Sequence, residues 1–331
     1  MEPIYIYTEK ELKNSVHLDN EVIEAIERGF SDFQKGSTIV PPIMMLPVEK
    51  KQGEVDIKSA FIEDLDHMAV KVASGFFKNP QIGLPSASGL MLVINSENGF
   101  LDSVLLDNGY LTQVRTGAAG AVAAKYLAPK KVVSAGVIGS GTQARFQMRA
   151  LSLVRSFNTI YMFSLDSEKI KDKYAEEIGE ELGVPVVKAK SVEQVVMNSQ
   201  VVVTTTPSRK GYINPQWLHK GLHITAMGSD TEEKQELEAM CFSKADKIVC
   251  DSRSQVFRLG ELRSALAQGI ISENSNVIEL GEIINGTATG RENENEITIC
   301  DLTGVGVQDT MIALLASKKA KEKKAGITIY R

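Results

Sequence analysis

A glycine-rich turn after an apolar run is the first stretch of this sequence that could do chemistry. Val132 to Ile138 is followed by Gly139, Ser140, Gly141, Thr142, Gln143 and Ala144, and then by apolar residues at helical spacing. Glycines permit a tight strand-to-helix turn and a close approach of the backbone to a ligand. The helix N-terminus behind them offers N–H groups and the positive end of a dipole to an anion. The pattern predicts a dinucleotide pyrophosphate site, but by itself it is weakly specific.

The choice between NAD and NADP depends on the end of the second predicted strand, which reads "FSLDSEK". An acidic residue there holds the ribose hydroxyls of NAD, whereas NADP sites add an arginine. Asp166 stands just past the tip and no basic residue follows before Lys169, so we predict NAD and leave NADP open. The alternative interpretation is that Asp166 only caps the next helix.

Four charged residues outside the turn could orient a substrate. Lys71 lies in the apolar strand "AVKVASGF", where an unpaired lysine is costly. Arg115 opens a helix of small residues and could make a forked contact with a carboxylate. Asp230 follows a predicted strand, and Lys58 interrupts another. Together these residues would suit an amino acid as substrate. The cations could bind its carboxylate, and the aspartate could bind its amine or transfer a proton. Structural roles are the alternative, namely salt bridges for the cations and a helix N-cap before "TEEKQEL" for Asp230.

Composition narrows the possible partners. The chain has 331 residues, 43% hydrophobic and 24% charged, with a formal net charge of −5, which argues against nucleic acid as a main partner. No apolar stretch approaches the ~20 residues of a membrane span, and the start of the chain lacks the apolar core of a signal peptide. The three cysteines form no close pair, and the four histidines show no metal-ligand spacing. We expect a cytoplasmic protein without a membrane partner or a structural or catalytic metal.

Elements early in the chain predict a sheet and a helix. "LDNEVIEAIERGFSDFQKG" has helical apolar spacing, with Asp19 as its N-cap and Gly36 at its end. "GLMLVINSENGFLDSVLLDNG" predicts two strands joined at Asn98-Gly99, a strong hairpin signal. We therefore expect antiparallel sheet plus helix in this part of the chain.

The residue pattern changes at "LTQVRTGAAGAVAAKYLAPKK", where many residues are small. These small residues suit a closely packed helix that ends before Pro129. From Val132 onward, strand-like runs alternate with helical ones: "VVSAGVI", "TIYMFSL", "VPVVKA", "QVVVTTTP", "GLHITAMGSD", "DKIVCDS" and "EITICDLTG". That alternation predicts a parallel sheet with helices on both faces, and the glycine turn follows its first strand. The "TTTP" and "MGSD" segments then fall at strand ends, on the edge where such sheets bind ligands.

Five motifs, in order over most of the chain, resemble the ornithine cyclodeaminase/mu-crystallin family. They are "DNGYLTQVRTGAAGAVAAKYLA", "GVIGSGTQARFQMRAL", "TTTPSRKGYI", "ITAMGSDTEEKQEL" and "DLTGVGVQD". The segment from "EVDIKSAF" to "VLLDNGYLT" is most similar to the ectoine-utilisation cyclodeaminase branch. The resemblance implies an α/β protein: a Rossmann-type doubly wound domain over 118–305, and an α+β dimerisation and substrate domain over 1–117 with 306–331. It also implies a homodimer or a higher homo-oligomer.

The resemblance assigns roles to particular residues. Lys71 and Arg115 match the pair that grips the substrate carboxylate, and Asp230 matches the acid–base aspartate. Residues expected beside the cofactor are Thr205, Thr206, Pro207, Thr303, Gly304 and Val305. The implied reaction moves a hydride from the α-carbon of a diamino acid to NAD⁺. The tail amine then attacks the resulting imine, ammonia leaves, and the hydride returns to give a cyclic imino acid.

The chain departs from the family pattern at two positions. Ile43 follows "PP" where members often carry a basic residue, and Lys58 falls where ornithine-specific members tend to carry a glutamate. Lys58 could replace the missing cation, or it could bind a second acid group on a different substrate. Ornithine is therefore one candidate substrate, beside shorter diamino acids such as 2,4-diaminobutyrate.

Three functions are open at this point. A cyclodeaminase is placed first, because the chain has a carboxylate, Asp230, where a tail amine would need one. An NAD(P)H-dependent imine or ketimine reductase, or an alanine-type amino acid dehydrogenase, is the alternative, and "TTTPSRK" resembles the archaeal alanine dehydrogenases of this family. A non-enzymatic binder is the least favoured, since Lys71, Arg115 and Asp230 are all retained.

Overall fold

A computed structural model describes residues 3–330. Its strands are β1 Pro3–Thr8, β2 Thr38–Ile39, β3 Met44–Val48, β4 Gly53–Ile62, β5 His67–Phe76, β6 Ala87–Asn95, β7 Leu101–Leu106, β8 Ser134–Ile138, β9 Thr159–Phe163, β10 Val186–Lys188, β11 Val201–Thr204, β12 Arg209–Ile213, β13 His223–Ala226, β14 Gln235–Leu237, β15 Lys247–Cys250, β16 Val277–Glu279, β17 Thr298–Asp301 and β18 Ile327–Tyr330. Its α-helices are α1 Glu9–Ser15, α2 Asn20–Gln34, α3 Tyr110–Leu127, α4 Thr142–Val154, α5 Glu168–Leu182, α6 Val192–Met197, α7 Arg253–Val256, α8 Leu262–Ala267, α9 Leu280–Ile284 and α10 Gly306–Glu322.

The chain divides into two compact units. The first comprises the described residues up to Arg115 together with those from Val305 onward, and the second is Thr116–Gly304. The first boundary falls inside helix α3, and the second falls just before helix α10. The first unit is therefore built from both ends of the chain.

The first unit contains a sheet in the order β18-β1-β7-β6-β5-β4-β2, with β3 also paired to β4. The predicted helix and hairpin are confirmed: Asp19 caps α2 by accepting the Val22 N–H at 3.0 Å, and β6 pairs antiparallel with β7 around Gly99, whose φ is +74°. The expected antiparallel sheet is confirmed for β2 to β7, whose pairs with one another all run antiparallel, whereas β1 runs parallel to β7. The alternation of side chains along a strand indicates which face of the sheet a residue occupies. It does not indicate whether the neighbouring strand runs parallel or antiparallel.

Helix α10 packs against strands β4 and β5 of this sheet. Its Thr310 hydroxyl donates to the Ala60 carbonyl at 2.9 Å and accepts from the Ala69 N–H at 3.3 Å, so the helix is fastened to both strands. Its first residue, Gly306, lies so close to β4 that a Cβ there would stand 2.2 Å from the Ser59 carbonyl oxygen. The close approach brings the buried first turns of α10 onto the sheet.

The second unit contains a parallel sheet in the order β10-β9-β8-β11-β13-β17-β15-β16, as the alternating pattern predicts. Strand β16, Val277–Glu279, is not among the strands predicted from the sequence. Successive residues of β11 enter different cores: Val201 and Val203 pack with Met148 of α4, whereas Val202 packs with Val195 of α6. The sheet is thus covered on both faces and is doubly wound.

The small residues of α3 allow it to pack closely against α4 within the second unit. A Cβ at Gly117 would stand 3.1 Å from the Phe146 carbonyl oxygen. The end of α3 is held by two arginines: Arg155 donates to the Lys125 carbonyl at 2.9 Å, and Arg291 donates to the Leu127 carbonyl. No helix within residues 3–330 is both long enough and apolar enough to cross a lipid bilayer.

Gly306→Ala tests the contact between α10 and β4. The added methyl would meet a backbone oxygen that no rotamer change can move, so we expect the free energy of unfolding to fall by about 3 kcal/mol. Gly75→Ala is the matched control in the same unit, because the atom nearest to its Cβ would be 3.5 Å away. Equal stability of the two variants in urea unfolding would contradict the close contact.

Candidate functional site

Parallel strands place their carboxyl ends at one edge of the second unit's sheet. Thr204 is paired in register with Ile138 and Ala226, and Asp301 is paired with Ala226 and Cys250. The segments that follow these residues therefore leave the sheet side by side. They include the glycine turn, "TPS", "MGSD", Asp251 and "LTG". We call this set of segments the carboxyl edge.

The glycine turn joins β8 to α4 in a shape that suits a pyrophosphate. Gly139 has φ +119°, and a Cβ there would lie 2.5 Å from the Thr205 hydroxyl oxygen. A Cβ at Gly141 would meet no atom within 4 Å, so the space on that side of the backbone is open. No side chain caps α4, whose N-cap is Gly141. The N–H groups of Thr142 and the residues after it thus begin a 13-residue helix behind the turn.

Asp166 lies against the glycine turn. Its Oδ2 accepts hydrogen bonds from the hydroxyls of Ser140 and Ser164, the latter at 2.7 Å, and these bonds lower its pKa. The alternative role as a helix cap is wrong, because Ser167 is the N-cap residue of α5 and Asp166 bonds the turn instead. An ionised carboxylate at this position is the group that ribose hydroxyls require.

Two further predicted cofactor segments are held by buried carboxylates. Thr205 donates its N–H and its hydroxyl to the Ile138 carbonyl at 2.9 and 3.0 Å, and Thr206 donates to Glu236. The N–H groups of Thr303 and Gly304 donate to Oδ2 of Asp251 at 2.9 and 2.7 Å. Pro207 is exposed at the same edge, and Val305 is the N-cap residue of α10 in the first unit.

Asp230 follows β13 on the carboxyl edge and is half exposed. Its Oδ1 lies 2.6 Å from the Lys234 ammonium. The alternative in which it caps a helix is wrong, since "TEEK" forms a turn and "QEL" is strand β14. Leu237 and Glu236 donate their N–H groups to the Glu261 carboxylate, which favours the strand over a helix there.

In the first unit, Lys71 and Arg115 share one buried carboxylate. The Lys71 ammonium lies 2.8 Å from Asp309, and Nε of Arg115 lies 3.0 Å from Oδ1 of the same residue. Nη1 of Arg115 also donates to Oε1 of Gln308 at 2.8 Å. Asp309 is fully buried, while Lys71 and Arg115 are 2% and 6% exposed. We call these four residues the Asp309 cluster.

Burial and charge act in opposite directions on the ionisation of the Asp309 cluster. Burial lowers the pKa of Lys71 to about 7, although the charge of Asp309 opposes that shift. Burial would raise the pKa of Asp309, but the charges of Arg115 and Lys71 outweigh it and hold the pKa below its ordinary value. Two cations therefore share a single ionised carboxylate in an almost dry site.

Lys58 lies on the same side of the sheet as this cluster. It is paired in register with Lys71 across the antiparallel strands β4 and β5, and opposed residues of such strands share a face. Its charge adds to the factors that lower the pKa of Lys71. Ile43 precedes β3 and is partly buried. Because isoleucine is apolar, this position carries no charge.

Sequence reasoning missed one organising carboxylate in each unit. Asp309 lies inside "DLTGVGVQD" and Glu236 inside "TEEKQEL", yet the motifs alone single out neither residue. For Asp309 the available signal is an acidic residue in a largely apolar segment, since buried charges require partners. The segment that leads to Glu236 is polar throughout and offers no such signal. Among residues 3–330, no group of three or more His, Cys, Asp or Glu side chains is arranged to hold a metal ion.

A parallel sheet with a glycine turn after its first strand and an acidic residue at the end of the second defines a dinucleotide-binding fold. The chain belongs to the ornithine cyclodeaminase/mu-crystallin family, whose model matches residues 4–324. The resemblance drawn from the motifs and the predicted fold class are both confirmed.

Known proteins similar to the chain are named for different activities. An uncharacterised cyclodeaminase of Sinorhizobium fredii is 44% identical over 327 residues, covering 98% of each chain. The Δ¹-pyrroline-2-carboxylate reductase of Thermococcus litoralis, solved with NADH and L-proline, is 31% identical with a TM-score of 0.93, covering 98% of this chain and 100% of its own. An archaeal alanine dehydrogenase dimer with bound NAD is 34% identical with a TM-score of 0.91, covering 99% of each chain.

Asp309→Asn tests the cluster in the first unit. The substitution leaves two buried cations without their shared anion, so we expect the free energy of unfolding to fall by about 3–5 kcal/mol. Asp32→Asn is the control, since Asp32 pairs with Arg28 and Lys35 along the surface of α2, where such pairs contribute little. Urea unfolding that shows similar losses for both variants would mean that the cluster does not anchor the unit.

Proposed function

We propose that the protein is an NAD-dependent oxidoreductase that transfers a hydride at the α-carbon of a small α-imino or α-amino acid. The Asp309 cluster carries this proposal, because its two cations and one carboxylate leave one positive charge to be balanced by a ligand carboxylate. The similarity to a reductase solved with L-proline and to an alanine dehydrogenase supports the substrate class.

NAD, when bound, supplies the group that accepts or donates the hydride. The glycine turn, Gly139 to Ala144, would hold its pyrophosphate, and Asp166 its ribose hydroxyls. Thr205, Thr206, Pro207, Thr303, Gly304 and Val305 would line the remainder of the cofactor. The open space at Gly141 and the uncapped start of α4 support this assignment. The acidic character of Asp166 favours NAD over NADP.

Three residues are assigned to the substrate. Lys71 and Arg115 would bind its carboxylate, with Asp309 holding both cations in place. Asp230 would hold or move a proton at the amine nitrogen, as a half-exposed carboxylate with a neighbouring lysine can do. We further propose that the predicted domain 1–117 with 306–331, whose bounds lie within two residues of those of the first unit, serves substrate binding and dimerisation, and that 118–305 binds the dinucleotide.

Cyclodeamination of a diamino acid is the second candidate. The similarity to the Sinorhizobium fredii protein favours it. A diamino acid has a cationic tail that needs an acid beside it, whereas the residue opposite Lys71 is another cation, Lys58. Asp230, the acid proposed for that tail, already has Lys234 at 2.6 Å. These charges place the net oxidoreductase first.

The two candidates are separated by following NADH absorbance and ammonia together with purified protein. We expect NADH to be consumed when Δ¹-pyrroline-2-carboxylate, or pyruvate with ammonia, is supplied. L-Ornithine and L-2,4-diaminobutyrate are tested with NAD⁺ at a concentration well below that of the amino acid. Ammonia released in excess of that NAD⁺, without lasting NADH, would instead establish a closed hydride cycle and the cyclodeaminase.

The ionisation of Lys71 predicts a pH dependence. Its pKa of about 7 means that the ammonium is present below that pH and lost above it. We expect kcat/KM for an anionic imino acid to fall up to tenfold per pH unit above about 7. The pKa of Lys71 is affected by the charges of Asp309, Arg115 and Lys58. The charge of Lys71 in turn affects the pKa of Asp107.

Lys71→Arg is the control for this prediction, because a guanidinium stays charged throughout the range. The variant should lack the inflection near pH 7, even if its maximal rate is lower. An unchanged profile in Lys71→Arg would assign the inflection to the imine or to another residue, and would contradict the lowered pKa of Lys71.

A further inference from the structure

Glu236 on strand β14 is a fully buried carboxylate that accepts hydrogen bonds from two segments of the carboxyl edge. From the segment after β11, Oε1 accepts the N–H and the hydroxyl of Thr206 at 2.6 and 2.7 Å. Oε2 accepts the hydroxyl of Thr204, the last residue of β11, at 2.6 Å. From the segment after β13, Oε2 accepts the Gly228 N–H at 2.8 Å. The Tyr212 hydroxyl completes the set at 2.8 Å from Oε1.

The two segments also touch directly at a position that only glycine can occupy. A Cβ at Gly228 would stand 2.4 Å from both Oε2 of Glu236 and the Thr206 carbonyl oxygen. Thr205, the neighbour of Thr206, in turn contacts the glycine turn, because a Cβ at Gly139 would lie 2.5 Å from its hydroxyl oxygen. Contacts thus continue from Glu236 through Thr206 and Thr205 to the predicted pyrophosphate turn.

We propose that Glu236 is a positioning residue for the cofactor, which fixes the segments after β11 and β13 against each other so that the dinucleotide meets a preformed edge. The inference rests on the proposed function, since it assumes that the carboxyl edge binds NAD. Glu236 need not touch the cofactor, because its carboxylate acts through Thr206 and Gly228. Glu261 holds β14 itself by accepting the N–H groups of Glu236 and Leu237 at 2.7 and 2.9 Å.

Glu236→Gln is a sharp test because each carboxylate oxygen accepts a backbone N–H. The Thr206 N–H bonds Oε1 and the Gly228 N–H bonds Oε2, so a glutamine amide in either orientation sets an NH₂ donor against one of them. One buried N–H must lose its partner, which is costly even though the side chain keeps its shape. We expect the Kd for NADH to rise on the order of tenfold. Amide hydrogen exchange should also accelerate in 204–207 and 227–230.

Thr298→Val is the matched control in the same unit. Thr298 is fully buried and bonded to His223, Leu127 and Arg291, but it stands at the amino end of β17, away from the carboxyl edge. We expect it to lower the melting temperature without changing the Kd for NADH or the exchange of the two segments. The double variant Thr204→Val/Tyr212→Phe keeps both backbone bonds to Glu236 and should raise the Kd only about threefold. The double variant also tests the positioning role if Glu236→Gln does not fold.

The outcomes of these experiments distinguish the proposed function from the positioning role of Glu236. A wild-type protein that does not bind NADH overturns the proposed function, and the positioning role with it. Normal binding by the wild type, with a Kd and segment exchange in Glu236→Gln no different from those in Thr298→Val, overturns the positioning role alone. If Glu236→Gln does not fold, a double variant that binds NADH as the wild type does also overturns that role. A raised Kd with faster exchange confined to the two segments supports both claims.

Discussion

The first unit depends on one fully buried carboxylate, Asp309, which is shared by two cations from different elements. A buried lysine or arginine without a partner would cost on the order of several kcal/mol, so Lys71 and Arg115 can remain buried only because α10 brings the anion to them. Gly306 permits that approach, since any side chain would meet the β4 backbone. The same cluster that stabilises the unit therefore presents the net positive charge on which the proposed function rests.

The second unit satisfies its loop backbone in a related way. Asp251 and Glu236 accept N–H groups from segments that leave the parallel sheet and that no neighbouring strand can pair. A carboxylate offers two oxygens and several lone pairs, so one side chain can hold two segments at a defined distance. A hydride must pass between groups held in fixed geometry, and loops anchored in this manner meet that requirement.

The two candidate reactions both transfer a hydride at the α-carbon, and they differ in what the side chain of the substrate carries. Both need a carboxylate site and a dinucleotide edge, and only cyclodeamination needs an acid for a tail amine. Lys58, paired in register with Lys71, therefore bears on the choice more than any residue of the dinucleotide fold.

Features that a few neighbouring residues encode could be predicted from the sequence. The turn at Gly139, the hairpin at Gly99, the cap at Asp19 and the alternation of the parallel sheet all follow from local backbone preferences and side-chain periodicity. Only the tertiary structure decided which charges meet. Lys71 and Asp309 are separated by 238 residues, and a spacing rule cannot pair groups that come together only when distant elements pack. For that reason candidate cations were found in the sequence, whereas the buried carboxylates that hold them and the loops were not.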